Sequence, residues 1–190
     1  MKIGLYFGSF NPVHKGHLAI AEFLKQKSLF DQIWLVVSPN NPFKESINLI
    51  PENHRLNMVK LAIQNNPFLY ACDVEFYLPK PSYTVDTLNY LEKQHHNHQF
   101  SLILGADNIQ NFHQWKKYEE ILNRYMIYVY PRDNKTLEKT IKHPHIVYLD
   151  APLLPVSATE IRDLLRKKVP VKDFLPELVV QYIEKQGIIL

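Results

Sequence analysis

The chain alternates short apolar runs with longer stretches whose apolar residues recur at helical spacing. Ile3, Leu5, Tyr6 and Phe7 make an apolar run of strand length, and Leu18, Ala19, Ala21, Phe23 and Leu24 follow as the face of a helix expected to end near Lys27 to Leu29. Ile33-Trp34-Leu35-Val36-Val37 reads as a buried strand, closed by Ser38-Pro39-Asn40-Asn41-Pro42. A helix is expected from about Glu52 to Asn65, with Leu56, Val59, Ala62 and Ile63 on one face and Pro67 behind it. Leu69 to Phe76 is a further strand candidate, followed by a proline-punctuated loop and a helix from Val85 to about His95, with Ser82 or Thr84 as its N-cap. Phe100 to Leu104 reads as a central strand. After it come a helix around Tyr118 to Asn123, a strand Tyr125 to Tyr130, a helix near Leu137 to Lys142 and a short strand Ile146 to Leu149.

Strands alternating with helices over most of the length imply an α/β fold: a Rossmann-like, doubly wound parallel sheet of five to six strands with right-handed crossovers. One domain over residues 1–190 is expected. Its C-terminal helical appendage, about 157–190, would include short helices at Val171 to Leu175 and Pro176 to Gln186. The glycine fingerprint of dinucleotide-binding folds and the Walker A lysine loop are both absent, which supports neither a dehydrogenase nor a P-loop NTPase.

Composition narrows the class. With 46% hydrophobic and 22% charged residues the chain suits a soluble globular domain, and no run approaches the roughly 18 apolar residues that would span a bilayer. Ser9 and Asn11 interrupt the first apolar run too early for a signal peptide. Cys72, a lone cysteine, excludes an internal disulfide and favours a reducing, cytoplasmic setting. A net charge of +3 is well short of a nucleic-acid surface but suits an anionic small molecule, as do nine histidines able to take up a proton beside phosphate. No membrane or nucleic-acid partner is expected, and a homo-oligomer is left open.

The chemistry is concentrated where the first strand meets the first helix, at Gly8-Ser9-Phe10-Asn11-Pro12-Val13-His14-Lys15-Gly16-His17. Gly8 permits a sharp exit from the strand. His14 and His17, three residues apart, would share a face beside helix-terminal amides that attract anions. Gly105 and Asp107 lie just past a central strand, where open α/β sheets hold ligands. Ser157 and Glu160 form a capping box backed by a Val156/Ile161 staple, with Arg162 one turn on to add charge. Lys44 lies in a Pro/Asn-rich loop, and Trp115, in a polar setting, suits a ligand platform as well as a core plug. His95, His96 and His98 lack a cysteine or carboxylate at ligand spacing, so they are expected to form a solvated helix end and no metal site.

The stretch from Gly8 to Leu18, with its His-x-Gly-His core, resembles the signature of the nucleotidylyltransferase superfamily. Ser82-Tyr83-Thr84-Val85-Asp86-Thr87-Leu88, Gly105-Ala106-Asp107, Trp115 and Val156-Ser157-Ala158-Thr159-Glu160-Ile161-Arg162 follow in the order and approximate spacing of the bacterial nicotinate-nucleotide adenylyltransferases. The chain departs from that family's pattern at Asn11, where Asp is frequent, at Phe43 before Lys44, at Ala158, and in the order Pro131-Arg132.

The resemblance implies adenylyl transfer from ATP to nicotinate mononucleotide, giving deamido-NAD and pyrophosphate without a covalent intermediate. Pantetheine-phosphate and nicotinamide-mononucleotide adenylyltransferases are the alternatives. It implies that His17, His14, Lys44 and Arg162 carry the catalysis, with His17 on the α-phosphate. ATP would be held by Gly8, Ser9, Phe10, His14, His17, Lys44, Gly105, Asp107, Ser157, Thr159 and Arg162. Thr84, Trp115 and Arg132 would bind the nicotinate nucleotide. Mg²⁺ would arrive with ATP, held by phosphate oxygens and water.

Overall fold

The computed structural model describes residues 1–39, 49–131, 141–153 and 156–188. Six strands, β1 (Lys2–Gly8), β2 (Gln32–Val37), β3 (Leu69–Cys72), β4 (Gln99–Gly105), β5 (Met126–Tyr130) and β6 (Ile146–Tyr148), pair in the order β3-β2-β1-β4-β5-β6. Every pairing is parallel. The helices are α1 (Lys15–Gln26), α2 (Glu52–Ile63), α3 (Thr84–Gln94), α4 (Ala106–Gln110), α5 (Tyr118–Arg124), α6 (Ala158–Arg166) and α7 (Glu177–Gln186).

Side chains alternate across the sheet as the pleat requires. Ile33, Leu35 and Val37 of β2 pack on one face with Ile20 and Leu24 of α1, Val59 of α2, Ile161 of α6 and Val179 of α7. Trp34 and Val36 of the same strand join Leu88 of α3, Ile109 of α4 and Ile121 of α5 on the other face. Burying each such aliphatic side chain contributes about 1.5–3 kcal/mol, so both layers are secured by the strands' near-continuous apolar runs.

The strand order has one functional consequence. From β1 the chain winds outward through β2 and β3, then crosses back to lay β4 on the other side of β1. That reversal opens a crevice at the carboxyl ends of β1 and β4, beside Gly8 and Gly105.

Three local expectations are corrected. The run from Leu69 splits into β3 and a 3₁₀ turn, Val74–Tyr77, because Glu75 turns inward and leaves the pleat. Tyr83, which makes no side-chain cap, precedes α3, so Thr84 is its first helical residue; Ser82 donates its hydroxyl to Glu75 instead. Residues 171–175 form turns and no helix. The helix expected near Leu137 to Lys142 falls mostly outside the described residues.

Candidate active site

Gly8 ends β1 with no room for a side chain, since a Cβ there would lie 2.9 Å from the ring of Phe10. Phe10 itself adopts a left-handed conformation, φ +46°, which tucks its ring into the core and turns the chain back toward α1. The peptide Asn11-Pro12 is cis. This irregular loop delivers His14 to the N-cap of α1 and His17 to its first turn. Their rings come together as the spacing predicts, with centroids 3.7 Å apart and planes tilted by 31°.

The rings of Phe10, at 5.0 Å, and Tyr6, at 5.9 Å, pack edge-on against His17. Tyr6 is braced in turn by Tyr130 at the end of β5, their hydroxyls 3.0 Å apart. The backbone N–H of His14 donates to Nδ1 of His17 at 3.2 Å, which assigns the ring proton of a neutral His17 to Nε2. An imidazole held this way presents a hydrogen-bond donor, the polarity an anionic ligand needs.

The helix end is less open than its sequence suggests. The amide of Lys15 donates to the carbonyl of Phe174 at 2.8 Å, and the amide of His17 to the carbonyl of His14 at 2.9 Å. The Gly16 amide has no acceptor among the described residues.

α6 forms the opposite wall. Its capping box is present: the Glu160 amide donates to Oγ of Ser157, whose own amide donates to the Glu160 carboxylate at 2.7 Å. The Ser157 hydroxyl, which donates to that carboxylate at 2.8 Å, and then the Ser157 amide hold the Glu160 carboxyl below its usual range. Arg162 donates one nitrogen to the carbonyl of Asn11 at 2.9 Å and another to Oγ1 of Thr159 at 3.0 Å. Burial, reinforced by nearby Arg166, lowers its pKa from the ordinary arginine value.

On the far side of the crevice, Gly105 precedes α4 and Asp107 lies in its first turn. Trp115 is half-buried, its ring 5.2 Å from Phe112, and packs on the same core layer as Tyr83. Lys116 pairs with Asp86 at 2.8 Å and lies over the Tyr83 ring, bringing the Trp115 segment to the start of α3 and so to Thr84. Lys44 and Arg132 lie outside the described residues.

His95 and His98 differ from the solvated turn expected of them: they stack at 5.2 Å and both meet Trp34 edge-on, while His96 is exposed. Among the described residues no group of three or more His, Cys, Asp or Glu side chains is placed to hold a metal.

Two buried charged groups escaped the sequence reading. Arg55 is fully buried, and its guanidinium donates to the carbonyls of Ile50, Ser9, Ser38 and Pro39 at 2.6–2.9 Å. Burial pulls its pKa down to about 10, so it remains charged near neutral pH. Its signal was present: Arg55 shares the helical stripe of Val59, Ala62 and Ile63, and a charge inside an apolar stripe needs internal partners. Glu75, 2% exposed, accepts from Thr87 Oγ1 at 2.8 Å and Ser82 Oγ at 3.0 Å.

The comparisons with known proteins identify the family and the fold. The cytidylyltransferase-like family model matches residues 5–164. A protein from Cytophaga hutchinsonii named "Probable nicotinate-nucleotide adenylyltransferase" is 46% identical over 96% of this chain and 95% of its own length. This chain belongs to the nicotinate-nucleotide adenylyltransferases of the cytidylyltransferase-like family. A second relative of the same name, from Bacteroides fragilis, is 40% identical over 97% of this chain and 92% of its own. The nicotinic acid mononucleotide adenylyltransferase of Plasmodium falciparum, solved in complex with NaAD, shares the fold with a TM-score of 0.79. Its identity is 23%, over 98% of this chain and 96% of that one. This nucleotidyltransferase family performs adenylyl transfer in NAD biosynthesis. Among the described residues no helix is long and apolar enough to cross a membrane.

Proposed function

We propose that the chain transfers the adenylyl group of Mg-ATP to the phosphate of nicotinate mononucleotide, giving deamido-NAD and pyrophosphate. A phosphate oxygen of the mononucleotide attacks the α-phosphorus. The bond from that phosphorus to the bridging oxygen breaks on the opposite side, and pyrophosphate leaves with the bond's electron pair. The nucleophile is already an anion near neutral pH, because a phosphate monoester has its second pKa near 6, so the step needs no general base. Its requirements are alignment of two anions and stabilisation of charge on the transferred group and leaving pyrophosphate.

The observation that carries this reading is the held imidazole of His17. With Nδ1 accepting from the His14 amide at 3.2 Å, Nε2 bears the proton and suits donation to an α-phosphate oxygen. His14, Lys44 and Arg162 supply further positive charge or donors, and the Ala158 and Thr159 amides at the α6 terminus suit the β- and γ-phosphates. Mg²⁺ enters as part of the Mg-ATP substrate and shields the triphosphate. Gly105 and Asp107 line the adenosine side, while Thr84, Trp115 and Arg132 receive the nicotinate nucleotide, the indole stacking on the pyridine ring. A cytoplasmic location follows from this role.

Pyrophosphate release with Mg-ATP and a panel of acceptors tests the reading. Nicotinate mononucleotide is expected to drive turnover ahead of nicotinamide mononucleotide and pantetheine phosphate. His17→Ala is expected to lose at least about tenfold in kcat, equivalent to about 1.4 kcal/mol or more of barrier. Wild-type turnover by that variant, or preference for another acceptor, overturns the assignment.

A further inference from the structure

The loop Ser9-Phe10-Asn11 that delivers His14 and His17 makes little regular backbone structure, so its polar groups must find partners elsewhere. Among the described residues, three contacts from distant parts of the chain hold it. Arg55 donates to the Ser9 carbonyl at 2.6 Å, the Ile50 amide donates to Oδ1 of Asn11 at 3.0 Å, and Arg162 donates to the Asn11 carbonyl at 2.9 Å. The first two are one unit, because Arg55 also grips the carbonyl of that same Ile50 at 2.8 Å.

Four of the five guanidinium donors of Arg55 go to main-chain carbonyls of three separate segments, at Ser9, at Ser38 and Pro39, and at Ile50. Among the described residues no carboxylate bonds to it; Glu52 acts on it only through space. A fully buried charge whose described hydrogen-bond partners are all carbonyls is expensive to desolvate. Its planar fork is suited to one task, which is holding several irregular backbone segments in fixed relation.

We propose that Arg55 is a positioning residue for the ATP half of the active site: acting through Ser9 and through Ile50–Asn11, it sets the loop that places His14 and His17. The inference rests on the adenylyl-transfer reading for its catalytic consequence, but its effect on nucleotide binding stands apart from any acceptor. Arg55 itself touches neither α3 nor the Trp115 segment among the described contacts; it reaches α3 only at second hand, through Ser38, whose side chain bonds Glu75 and thereby Thr87, so the direct effect falls on the ATP half.

Arg55→Lys retains the charge but lacks the fork, and Asn11→Ala removes the same unit's other anchor. For each variant, thermal melting establishes the folded fraction, calorimetric titration with Mg²⁺ and α,β-methylene-ATP gives nucleotide affinity, and pyrophosphate release gives both KM values. The proposal expects nucleotide affinity and the KM for ATP to weaken about tenfold, with the KM for the acceptor within about twofold of wild type. The double variant is expected to be little worse than either single one, because both act on one unit. Wild-type nucleotide affinity in folded Arg55→Lys or Asn11→Ala, equal changes in both KM values, or full additivity overturns it. If wild-type protein binds the analogue but releases no pyrophosphate with any acceptor, the adenylyl-transfer reading fails alone, since the titration still decides the role of Arg55.

Discussion

Arg162 donates to the carbonyl oxygen of Asn11 at 2.9 Å although 151 positions of sequence separate them. This bond fastens α6 to the loop that carries His14 and His17. The same side chain keeps Nε without an acceptor among the described residues, although that atom is buried. On the proposed function, this guanidinium ties the loop and offers its charge to the polyphosphate of ATP.

Arg162→Lys is therefore expected to be far from conservative. Lysine has no planar fork and cannot serve Asn11, Thr159 and an anion together. The expected outcome is a rise in the KM for ATP of about tenfold to a hundredfold, equivalent to about 1.4–2.8 kcal/mol, with the folded fraction preserved. Steady-state kinetics with ATP varied at saturating acceptor checks it, and an unchanged KM would remove Arg162 from the polyphosphate site.

Gly8→Ala tests the exit from β1. The new methyl would meet the Phe10 ring at 2.9 Å, and that ring is 1% exposed and pressed against His17. Overpacking of this kind costs about 1–3 kcal/mol, and here the neighbour that must yield is the one bracing the histidine. Urea denaturation is expected to show that loss, and turnover per folded molecule to fall with it. A variant of native stability and activity would mean that Phe10 has more freedom than its packing implies.

Glu75 gives a pH-dependent prediction. Burial raises its pKa above the ordinary carboxylate value of 4.5, and hydrogen bonds from Thr87, Ser38 and Ser82 only partly oppose this. Between the unfolded and folded values the folded chain holds a proton that the unfolded chain has released, so stability declines as pH rises through that window. Denaturation midpoints of Glu75→Gln are expected to lose this component of the slope. An identical slope in wild type and variant would show that the carboxyl titrates normally.

The sequence by itself determined whatever depends on neighbours in the chain. Hydrophobic periodicity located all six strands, the Ser157/Glu160 box appeared where capping chemistry demanded it, and three-residue spacing brought His14 and His17 onto one face. These are short-range matters of backbone geometry, legible without a fold. Boundaries slipped where an inward polar residue overrode local preference, as Glu75 did in shortening β3 and as Ser82 did in bonding Glu75 seven positions back rather than capping α3.

Only the tertiary structure decided the rest. The strand order β3-β2-β1-β4-β5-β6 placed Gly8 beside Gly105, and the packing of α6 set Arg162 on Asn11. The C-terminal turn at Phe174 took the Lys15 amide that the isolated helix start would have left for an anion. Arg55 was visible as a charge in an apolar stripe, but its four carbonyl partners come from three segments that meet only on folding. Hydrogen-bond partners distant in sequence are chosen by the geometry of the packed layers, and periodicity along one element carries no information about them.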